Sequence, residues 1–401
     1  MFMEKDIAWL KVIGINENGV DGLSGQARAI ISAAGLVVGG KRHLELAGGL
    51  VKGQSLIWDS PIEKTIEKII ERKPQNTCVL ASGDPFSYGI GATLARHIAI
   101  EEMLVIPAPS CFSLAAARLG WALQNTVTIG LNGRHLEKII PHLQPGAKIL
   151  ALSTDETTPI SVFELIYKRG LAAAKLQVME HLGGEKEKIY EFHGKENIAR
   201  LNMIALEIPA DLTGKAIPIT SGLPDKFFEN DGQLTKREIR AITLSSLAPR
   251  KGELLWDIGL GAGSIAIEWL LANPANRAIG FEKDTSRAKR ALLNAVNLGV
   301  PDLQIIEGVV PHTLEGRETP DAIFIGGGAK TETIDAAWNA LKTGGRMVVN
   351  SITLETESTI ISAYKKYGGN IIRIGIDRDE DVGNFTGLRP AMRVMQWSAI
   401  K

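Results

Sequence analysis

The chain has few cysteines for its length, since Cys78 and Cys111 are the only two among 401 residues. They lie far apart and no cluster of histidines accompanies them. The sequence therefore predicts neither a disulfide framework nor a zinc site or other metal site. So few thiols are typical of proteins from a reducing compartment, and we expect a cytoplasmic protein.

The sequence also lacks long apolar runs and any excess of one charge. No run of about 18 apolar residues occurs, so we expect no membrane-spanning helix. Charged side chains occur within residues 1–6, before any apolar stretch, which is unlike a secretory signal. Lysine plus arginine and aspartate plus glutamate number 45 each, so the formal net charge is zero. Nucleic-acid-binding proteins are usually basic, and we expect no nucleic acid as partner.

What the sequence does contain is a long alternation of short apolar runs with amphipathic stretches. This pattern predicts an α/β protein, and the length is enough for two or three domains. A proline- and glycine-rich passage at 211–232 has little periodicity and is typical of a linker. We therefore predict one domain at 1–210 and a second at 233–401. Right-handed βαβ connections predict a mainly parallel, Rossmann-like sheet in the second domain.

The predicted elements can be given by residue range. In the first domain we predict strands at 9–15, 34–38, 77–81, 103–107, 148–152, 175–179 and 202–208, and helices at 62–72, 110–119 and 158–169. In the second domain we predict strands at 254–258, 277–282, 303–307, 321–325 and 346–350, helices at 235–247, 264–273, 284–298 and 331–341, and an antiparallel pair at 371–377 and 392–398. Thr235 and Glu238 have the spacing of a capping box at the start of the helix 235–247.

The most informative segment follows the predicted strand 254–258. It contains Asp257 and three glycines at alternate positions, Gly259, Gly261 and Gly263. A strand, a glycine turn and a helix start together are typical of a docking place for a nucleotide-like cofactor, because glycine lets the backbone approach closely. A dinucleotide site needs G-x-G-x-x-G, which here would end on Ser264. The spacing D-x-G-x-G-x-G instead resembles the first motif of S-adenosylmethionine (SAM) methyltransferases.

Further candidates lie where the next strands of this domain end. Glu282, about 20 residues after the glycine loop, is placed to accept hydrogen bonds from both ribose hydroxyls. Asp284 is predicted to cap the next helix. Gly308 follows the third strand, where adenine would lie, and Gly326 opens a run of three glycines that leaves space for a bulky substrate. For Asp257 an alternative role is to orient the loop amides.

A second informative segment lies in the first domain at 81–91. Gly83, Asp84 and Pro85 follow a predicted strand and form a sharp loop, because proline fixes φ and aspartate bonds nearby amides. Gly14 ends the first strand. Ser110 is predicted to be the N-cap of a helix. Each of these signals is unspecific by itself.

In combination and in this order the motifs resemble two known families. Residues 9–209 resemble the tetrapyrrole methylase family at residues 12–15, 82–85, 109–110, 114–121, 154–159 and 182–184. Residues 233–401 resemble the decarboxylating precorrin methyltransferases at residues 234–240, 257–263, 325–328 and 349–355. The tandem resembles the fused, bifunctional members of that group in cobalamin biosynthesis. The resemblance implies an N-terminal tetrapyrrole methylase fold of two α/β halves and a C-terminal Rossmann-like SAM methyltransferase.

The resemblance also implies two SAM sites, one in each domain. The N-terminal site would use Gly14, Gly83, Asp84, Pro85, Ser110 and Gly183. The C-terminal site would use Thr235, Gly259, Gly261, Gly263, Glu282 and Gly308. One departure from many methyltransferases is that Val309 rather than an acid follows Gly308, so a backbone carbonyl would bind the adenine amino group.

The implied reaction is C-methylation of a precorrin. The N-terminal domain would methylate carbon 5, and the C-terminal domain would methylate carbon 15 and release carbon dioxide from the ring-C acetate. Because related domains associate, we expect a homo-oligomer. Methyl transfer to a nucleophilic meso carbon needs alignment and exclusion of water, and the sequence predicts no catalytic side chain. Arg240, Arg389 and Arg393 are candidates to bind substrate carboxylates.

Two other functions remain open at this point. One is methyl transfer to RNA, which the zero net charge disfavours. The other is a non-catalytic tetrapyrrole-binding protein, which the intact glycines of both loops disfavour.

Overall fold

The structure is a computed structural model that describes residues 8–212 and 216–401. The segment 1–6 and Gly214 of the predicted linker lie outside these residues. The chain divides into two compact units, which are described separately below. The first lies within Met1–Leu136 and Pro145–Lys215, and the second within Glu137–Gln144 and Ala216–Lys401. In the described part of the chain, none of the helices has the length and apolar character needed to cross a membrane.

The first unit contains ten strands and six α-helices among its described residues. The strands are β1 (Leu10–Ile15), β2 (Leu36–Gly39), β3 (Gln54–Ile57), β4 (Thr77–Ser82), β5 (Met103–Ile106), β6 (Val127–Gly130), β7 (Lys148–Leu152), β8 (Lys175–Glu180), β9 (Lys188–Glu191) and β10 (Asn202–Glu207). The helices are α1 (Gly25–Ala33), α2 (Lys41–Ala47), α3 (Glu63–Glu71), α4 (Ile90–Leu94), α5 (Cys111–Leu119) and α6 (Thr157–Lys168).

These strands form two five-stranded sheets. The first is parallel throughout, in the order β3-β2-β4-β1-β5. Its central strands are nearly continuous apolar runs because helices cover both faces, which leaves these strands buried. The second sheet has the order β6-β7-β10-β8-β9 and is antiparallel except for the pair β6–β7. The carboxyl ends of β1 and β4 lie side by side, with Ile15 opposite Ser82.

The second unit contains nine strands and five α-helices among its described residues. The strands are β11 (Leu254–Ile258), β12 (Arg277–Glu282), β13 (Gln304–Glu307), β14 (Ala322–Ile325), β15 (Arg346–Ser351), β16 (Asn370–Ile374), β17 (Asp377–Val382), β18 (Phe385–Pro390) and β19 (Val394–Ile400). The helices are α7 (Arg237–Leu247), α8 (Ser264–Ala272), α9 (Thr285–Asn297), α10 (Thr331–Ala340) and α11 (Leu354–Tyr367).

Seven of these strands form one sheet in the order β13-β12-β11-β14-β15-β19-β16. The first five are parallel, and β19 is antiparallel to both of its neighbours, so the predicted closing pair is confirmed. Trp256, Phe281 and Trp397 belong to the core on this sheet. Strands β17 and β18 form a separate hairpin between β16 and β19. The predicted mainly parallel sheet is therefore present.

Some predictions of local structure are wrong or incomplete. Helix α7 begins at Arg237, after an N-cap at Lys236 without a side-chain hydrogen bond, so the capping box of Thr235 and Glu238 does not form. Glu238 instead pairs with Arg378. The edge strands β3 and β9 were not predicted because most of their side chains are exposed, and helix α11 was not predicted because it buries only two residues.

Candidate functional site

In the second unit, the glycine loop lies between β11 and α8, at the carboxyl edge of the sheet. Asp257 is 1% exposed, and its Oδ2 accepts a hydrogen bond from the backbone N–H of Ala266 at 3.0 Å, in the first turn of α8. Among the described residues its Oδ1 has no partner. Burial, together with the nearby charge of Glu282, raises the pKa of Asp257 to about 8. Asp257 therefore fixes the start of α8 as a largely protonated acid at neutral pH.

The three glycines of this loop have three different environments. A Cβ on Gly259 would lie 2.7 Å from the backbone nitrogen of Gly327, so this glycine lets two loops touch. A Cβ on Gly263 would lie 3.1 Å from the Cβ of Ala291 in α9. At Gly261, by contrast, no neighbouring atom comes closer to a Cβ than 3.9 Å. The space beside Gly261 is thus open, and contact of the three glycines with a cofactor stays a prediction.

Glu282 holds the glycine loop from the end of β12. Its Oε2 accepts a hydrogen bond from the N–H of Gly261 at 2.8 Å, and its Oε1 accepts from Lys283 at 3.0 Å and Asp284 at 3.1 Å. Because a carboxylate has about four acceptor positions, roughly one is left for a ribose hydroxyl. Contact with ribose stays a prediction, and the structure adds a role in shaping the loop.

Two other predicted residues of this site, Gly308 and Gly326, lie at the same edge of the sheet, and Thr235 lies just before α7. Gly308 donates its N–H to the carbonyl of Glu282 at 2.9 Å, and Gly326 donates to the carbonyl of Ile258 at 3.0 Å. The carbonyl of Thr235 accepts from Arg240 at 2.5 Å. Contact of these three predicted residues with a cofactor stays a prediction.

Helix α9, which follows β12, begins as predicted. The side chain of Asp284 accepts hydrogen bonds from the backbone of Ser286 at 2.8 Å and Arg287 at 3.0 Å. The predicted N-cap is confirmed.

The prediction that Arg240 binds substrate is wrong. Its side chain is fully buried and pairs with Glu268 at 2.5 Å and with Asp225 at 3.3 Å. Glu268 also accepts the N–H groups of Gly222 at 2.6 Å and Leu223 at 3.0 Å. This buried cluster fixes a stretch of the predicted linker within the second unit. The proposed domain boundaries themselves stay a prediction.

The other two arginine candidates lie on or beside the β17–β18 hairpin. Arg389 is exposed and pairs with Glu380 at 2.7 Å. Arg393 is exposed as well. Both remain candidates for binding carboxylates.

In the first unit, a cleft of about 390 Å³ is lined by residues of both sheets. Beside the cleft, three predicted segments meet, and these contain Gly14, Gly83 and Pro109. A Cβ on Gly14 would overlap the carbonyl oxygen of Gly83, and a Cβ on Gly83 would lie 2.9 Å from the carbonyl oxygen of Pro109. Gly83, at φ +55°, lines the cleft, whereas Gly14 supports the loop through backbone packing.

The Gly-Asp-Pro loop has the predicted internal bonds. Oδ1 of Asp84 accepts a hydrogen bond from the N–H of Phe86 at 2.8 Å, as expected of aspartate in a turn. The carbonyl of Pro85 accepts from Gly91 at 2.8 Å. Asp84 and Pro85 thus fix the loop whose neighbours Ser82 and Gly83 face the cleft.

Two further predicted residues, Ser110 and Gly183, are sequence neighbours of Cys111 and Leu182, which line the cleft. Ser110 caps α5 by accepting a hydrogen bond from Ser113 at 3.1 Å, so the predicted N-cap is confirmed. Gly183, at φ +84°, donates its N–H to Glu187 at 2.6 Å and packs against Leu114 of α5. The structure thus brings the predicted segments together, while their contact with a cofactor stays a prediction.

One wall of this cleft carries charged side chains that were not predicted from the sequence. Glu17 pairs with Arg42 and lies 3.1 Å from Nδ1 of His181. Arg42 also donates to Oγ of Ser82 at 3.1 Å, and Nε2 of His43 lies 2.7 Å from the same oxygen. All five line the cleft. Arg42 and His43 belong to α2, Ser82 ends β4, and Glu17 and His181 follow β1 and β8, so no spacing in the sequence could have indicated them.

His43 is a neutral group at physiological pH. Burial, followed by the positive charge of Arg42, lowers the pKa of His43 to about 4. Its Nδ1 is buried without a hydrogen-bond partner among the described residues.

Comparison with known proteins identifies the family. The sequence model for tetrapyrrole (corrin/porphyrin) methylases matches residues 10–196, and the model for a precorrin methyltransferase domain matches residues 226–401. A curated relative, the precorrin-6Y C(5,15)-methyltransferase (decarboxylating) of Sinorhizobium sp, is 47% identical over 98% of this chain and 96% of its own length. The chain belongs to the precorrin-6Y C(5,15)-methyltransferase (decarboxylating) family. The predicted resemblance is confirmed.

Two shorter proteins match parts of the chain. A probable cobalt-precorrin-6B C(15)-methyltransferase (decarboxylating) of Saccharolobus solfataricus is 40% identical over 157 residues, which are 37% of this chain and 79% of that protein. A crystal structure of the C-terminal domain of precorrin-6Y C5,15-methyltransferase from Rhodobacter capsulatus is 38% identical, covering 46% of this chain and 100% of that one, with a TM-score of 0.44. As a member of its family the chain is a methyltransferase, and the family's fold implies the use of SAM.

Proposed function

We propose that this chain is a bifunctional, SAM-dependent C-methyltransferase of cobalamin biosynthesis with one cofactor site in each domain. The N-terminal domain methylates carbon 5 of a precorrin-6 intermediate. The C-terminal domain methylates carbon 15 and removes the ring-C acetate carboxyl group as carbon dioxide, which gives a precorrin-8 product.

This proposal rests mainly on one observation. Two separate sheets in one chain each present a glycine loop at their carboxyl edge, where α/β proteins bind their ligands. The relative that matches 98% of the chain is named for two methylated carbons and one decarboxylation. Two loops and two methylated carbons agree in number.

The residues present fit SAM in the C-terminal crevice. When bound, SAM supplies a methyl group from its sulfonium. Gly261 leaves the space open, Glu282 holds the loop amide and offers an acceptor, and Gly308 lies at the end of the neighbouring strand. Asp257, buried beneath the loop, keeps the start of α8 in place. A loop fixed in this way needs little rearrangement on binding, which favours alignment of the reacting groups.

The N-terminal cleft fits the same cofactor between Gly83 and Leu182, the residue before Gly183. Its volume of about 390 Å³ is within the usual range of small-molecule sites. Ser82 and Gly83 line the cleft on the side of the first sheet, and Leu114 and Leu182 line its other side. Apolar and backbone surfaces exclude water from the reacting carbon, which prevents side reactions.

We also propose that the chain acts as a homo-oligomer. Apolar side chains on and beside the β17–β18 hairpin are strongly exposed: Val382 by 61%, Phe385 by 81%, Leu388 by 74% and Met392 by 71%. Such patches commonly mark protein interfaces. Light scattering of the chain and of the double variant Phe385→Ser/Leu388→Ser tests this, because a hairpin interface predicts a smaller assembly for the variant.

The decisive experiment is mass spectrometry of the product made from a precorrin-6 intermediate and SAM. We expect two added methyl groups and the loss of one carboxyl group. A product with one methyl group, or one that keeps its carboxyl groups, contradicts the proposal.

Calorimetry with S-adenosylhomocysteine tests the number of sites independently. Two sites per chain support the proposal, and none would favour a non-catalytic tetrapyrrole-binding protein. Methyl transfer to total tRNA, measured with labelled SAM, tests the RNA alternative. The absence of a nucleic-acid partner and a cytoplasmic location stay predictions.

A further inference from the structure

We propose that His181 is the proton acceptor of the N-terminal methylation and that Glu17 is the residue that positions its imidazole. This inference rests on the proposed function, since it assigns a catalytic residue to the methylation of carbon 5. The pair is a carboxylate–imidazole dyad that faces the cleft of the first unit.

The geometry of the pair has the form of an oriented base. Oε2 of Glu17 lies 3.1 Å from Nδ1 of His181. A carboxylate only accepts hydrogen bonds, so Nδ1 carries the proton and Nε2 carries the lone pair. Among the described residues Nε2 has no hydrogen-bond partner, and the side chain of His181, 27% exposed, lines the cleft. The lone pair is therefore available to a substrate.

The backbone around His181 is strained. Its φ is +47°, in the left-handed region that residues other than glycine rarely adopt. Strain of this kind costs about 1–3 kcal/mol and is found preferentially at active sites, where it sets the direction of a side chain. His181 directly precedes the segment 182–184 that is predicted to hold the cofactor, and both His181 and Leu182 line the cleft, so the proposal places its imidazole beside the reacting groups.

Glu17 is itself held in place. It follows β1, and its other carboxylate oxygen pairs with Arg42. A Cβ on Gly184 would lie 2.6 Å from the Cβ of Glu17, so the glycine there is what allows the chain after β8 to approach. With one oxygen on a guanidinium and the other on the imidazole, the carboxylate has little freedom to turn.

Methylation of a methine carbon requires a base because the carbon must lose its hydrogen. The carbon bonds the incoming methyl group with a π electron pair of the macrocycle, and the electron pair of the broken sulfur–carbon bond stays on sulfur. The C–H bond then breaks, its electron pair restores the π system, and its proton moves to Nε2 of His181. The imidazolium that results is stabilised by Glu17 until it releases the proton to water.

His43 is less suited to this role although it lines the same cleft. Its Nε2 already lies 2.7 Å from Oγ of Ser82, and its Nδ1 is buried. Burial lowers the pKa of His43 to about 4, and so weak a base gains little from accepting a proton near neutral pH.

The test uses the full chain with His181→Asn, because asparagine can still donate to Glu17 but has no acceptor at the position of Nε2. Loss of a general base lowers a rate by about 100-fold or more, and we expect such a fall for methylation of carbon 5. Methyl groups from ¹³C-labelled SAM distinguish carbon 5 from carbon 15 by NMR of the product. His97→Asn, an exposed histidine that does not line the cleft, is the matched control and should keep the rate.

Three further readouts separate a base from a structural residue. Deuterium at carbon 5 should give a larger isotope effect in His181→Asn than in the unchanged chain, because proton removal becomes slower. The acid limb of the pH–rate profile should disappear in the same variant. The affinity for S-adenosylhomocysteine, measured by calorimetry, should stay the same.

Glu17→Gln tests the positioning role without relying on activity. NMR of the His181 imidazole should show one tautomer, protonated at Nδ1, in the unchanged chain and a mixture of tautomers in the variant. The rate of carbon-5 methylation should fall less than in His181→Asn.

The inference is overturned if His181→Asn keeps its rate within about threefold and its acid limb. It is also overturned if the variant loses affinity for S-adenosylhomocysteine in proportion to the rate, since His181 would then be a cofactor ligand. Failure of the proposed function itself looks different, because the unchanged chain would then fail to add two methyl groups.

Discussion

The two crevices differ in the groups that surround their glycine loops. In the C-terminal unit, the loop is bordered by backbone amides and by the two buried carboxyl groups of Asp257 and Glu282. In the N-terminal unit, the wall of the cleft carries a glutamate, an arginine and two histidines in one hydrogen-bonded cluster. The C-terminal groups shape the loop, whereas His181 in the N-terminal unit lines the cleft, and its Nε2 has no hydrogen-bond partner among the described residues.

The proposed reactions give this difference a chemical reason. Methylation of carbon 5 releases one proton, which has to go to an acceptor. In the C-terminal reaction, methylation of carbon 15 also releases a proton, but loss of carbon dioxide leaves a carbanion that takes one up. The protons balance in the second reaction and not in the first. A dedicated base is therefore of more use in the N-terminal cleft.

The largest expected effect concerns the stability of the C-terminal unit. Glu268→Ala leaves Arg240 buried without its main partner, and breaking a buried pair in this way costs about 3–5 kcal/mol. Denaturant unfolding followed by hydrogen exchange of peptides from each unit measures the loss. The exposed Glu315→Ala is the control and should change the free energy of unfolding by less than about 0.5 kcal/mol. A loss below about 1 kcal/mol for Glu268→Ala would show that water reaches the arginine.

Gly261→Arg is expected to separate the two crevices functionally. The arginine fills the open side of the C-terminal loop, so one of two S-adenosylhomocysteine sites should weaken by more than 100-fold, about 2.7 kcal/mol. Decarboxylation should stop while methylation of carbon 5 continues. Gly316→Arg is a matched control, because Gly316 also has a positive φ and open space around it. If both activities vanish with the fold intact, the division of labour is wrong.

Asp257 and His43 should contribute to the pH dependence of stability with opposite signs, each in its own unit. The pKa of Asp257 is raised from 3.8 to about 8 by burial, so its contribution is present below pH 3.8 and is lost as the pH rises to about 8. The pKa of His43 is lowered from 6.5 to about 4, so its contribution is present above pH 6.5 and is lost as the pH falls to about 4. Each slope is about 1.4 kcal/mol per pH unit within its window.

The same unit-resolved unfolding experiment, repeated from pH 4 to pH 8, measures both slopes. Asp257→Asn should remove the contribution of Asp257 to the slope of the C-terminal unit, and His43→Asn should remove the contribution of His43 to that of the N-terminal unit. A slope that is unchanged by either substitution would contradict the assignment.

The smallest expected effect is at the Gly-Asp-Pro loop. Asp84→Ala removes one hydrogen bond to the N–H of Phe86, worth about 0.5–1.5 kcal/mol, and loosens the loop beside the cleft. The affinity of the N-terminal site for S-adenosylhomocysteine should fall by a few-fold to about tenfold, and the rate of carbon-5 methylation should fall by a similar factor. Asn273→Ala removes the same kind of turn bond in the other unit and should leave this affinity unchanged. An unchanged rate at carbon 5 in Asp84→Ala would count against the N-terminal site.

The sequence by itself determined the architecture and the position of both loops. Buried strands form nearly continuous apolar runs, so the strands Leu254–Ile258 and Lys148–Leu152 were predicted to the residue although they contain Asp257 and Lys148. Positions that need a positive φ are usually occupied by glycine, and a glycine can be recognised directly in the sequence. Gly83 and Gly261 were therefore found. Edge strands and helices with little buried surface leave a weaker pattern, and β3, β9 and α11 were missed.

Only the tertiary structure decided what the charged side chains do. Arg240 was predicted to bind substrate and is instead enclosed by Glu268 and Asp225, because charge in a sequence does not indicate burial. Glu17 and His181 are 164 positions apart and meet only because two separate sheets of one unit face the same cleft. Local spacing records contacts within a helix or strand, whereas a contact between two sheets depends on how the chain packs.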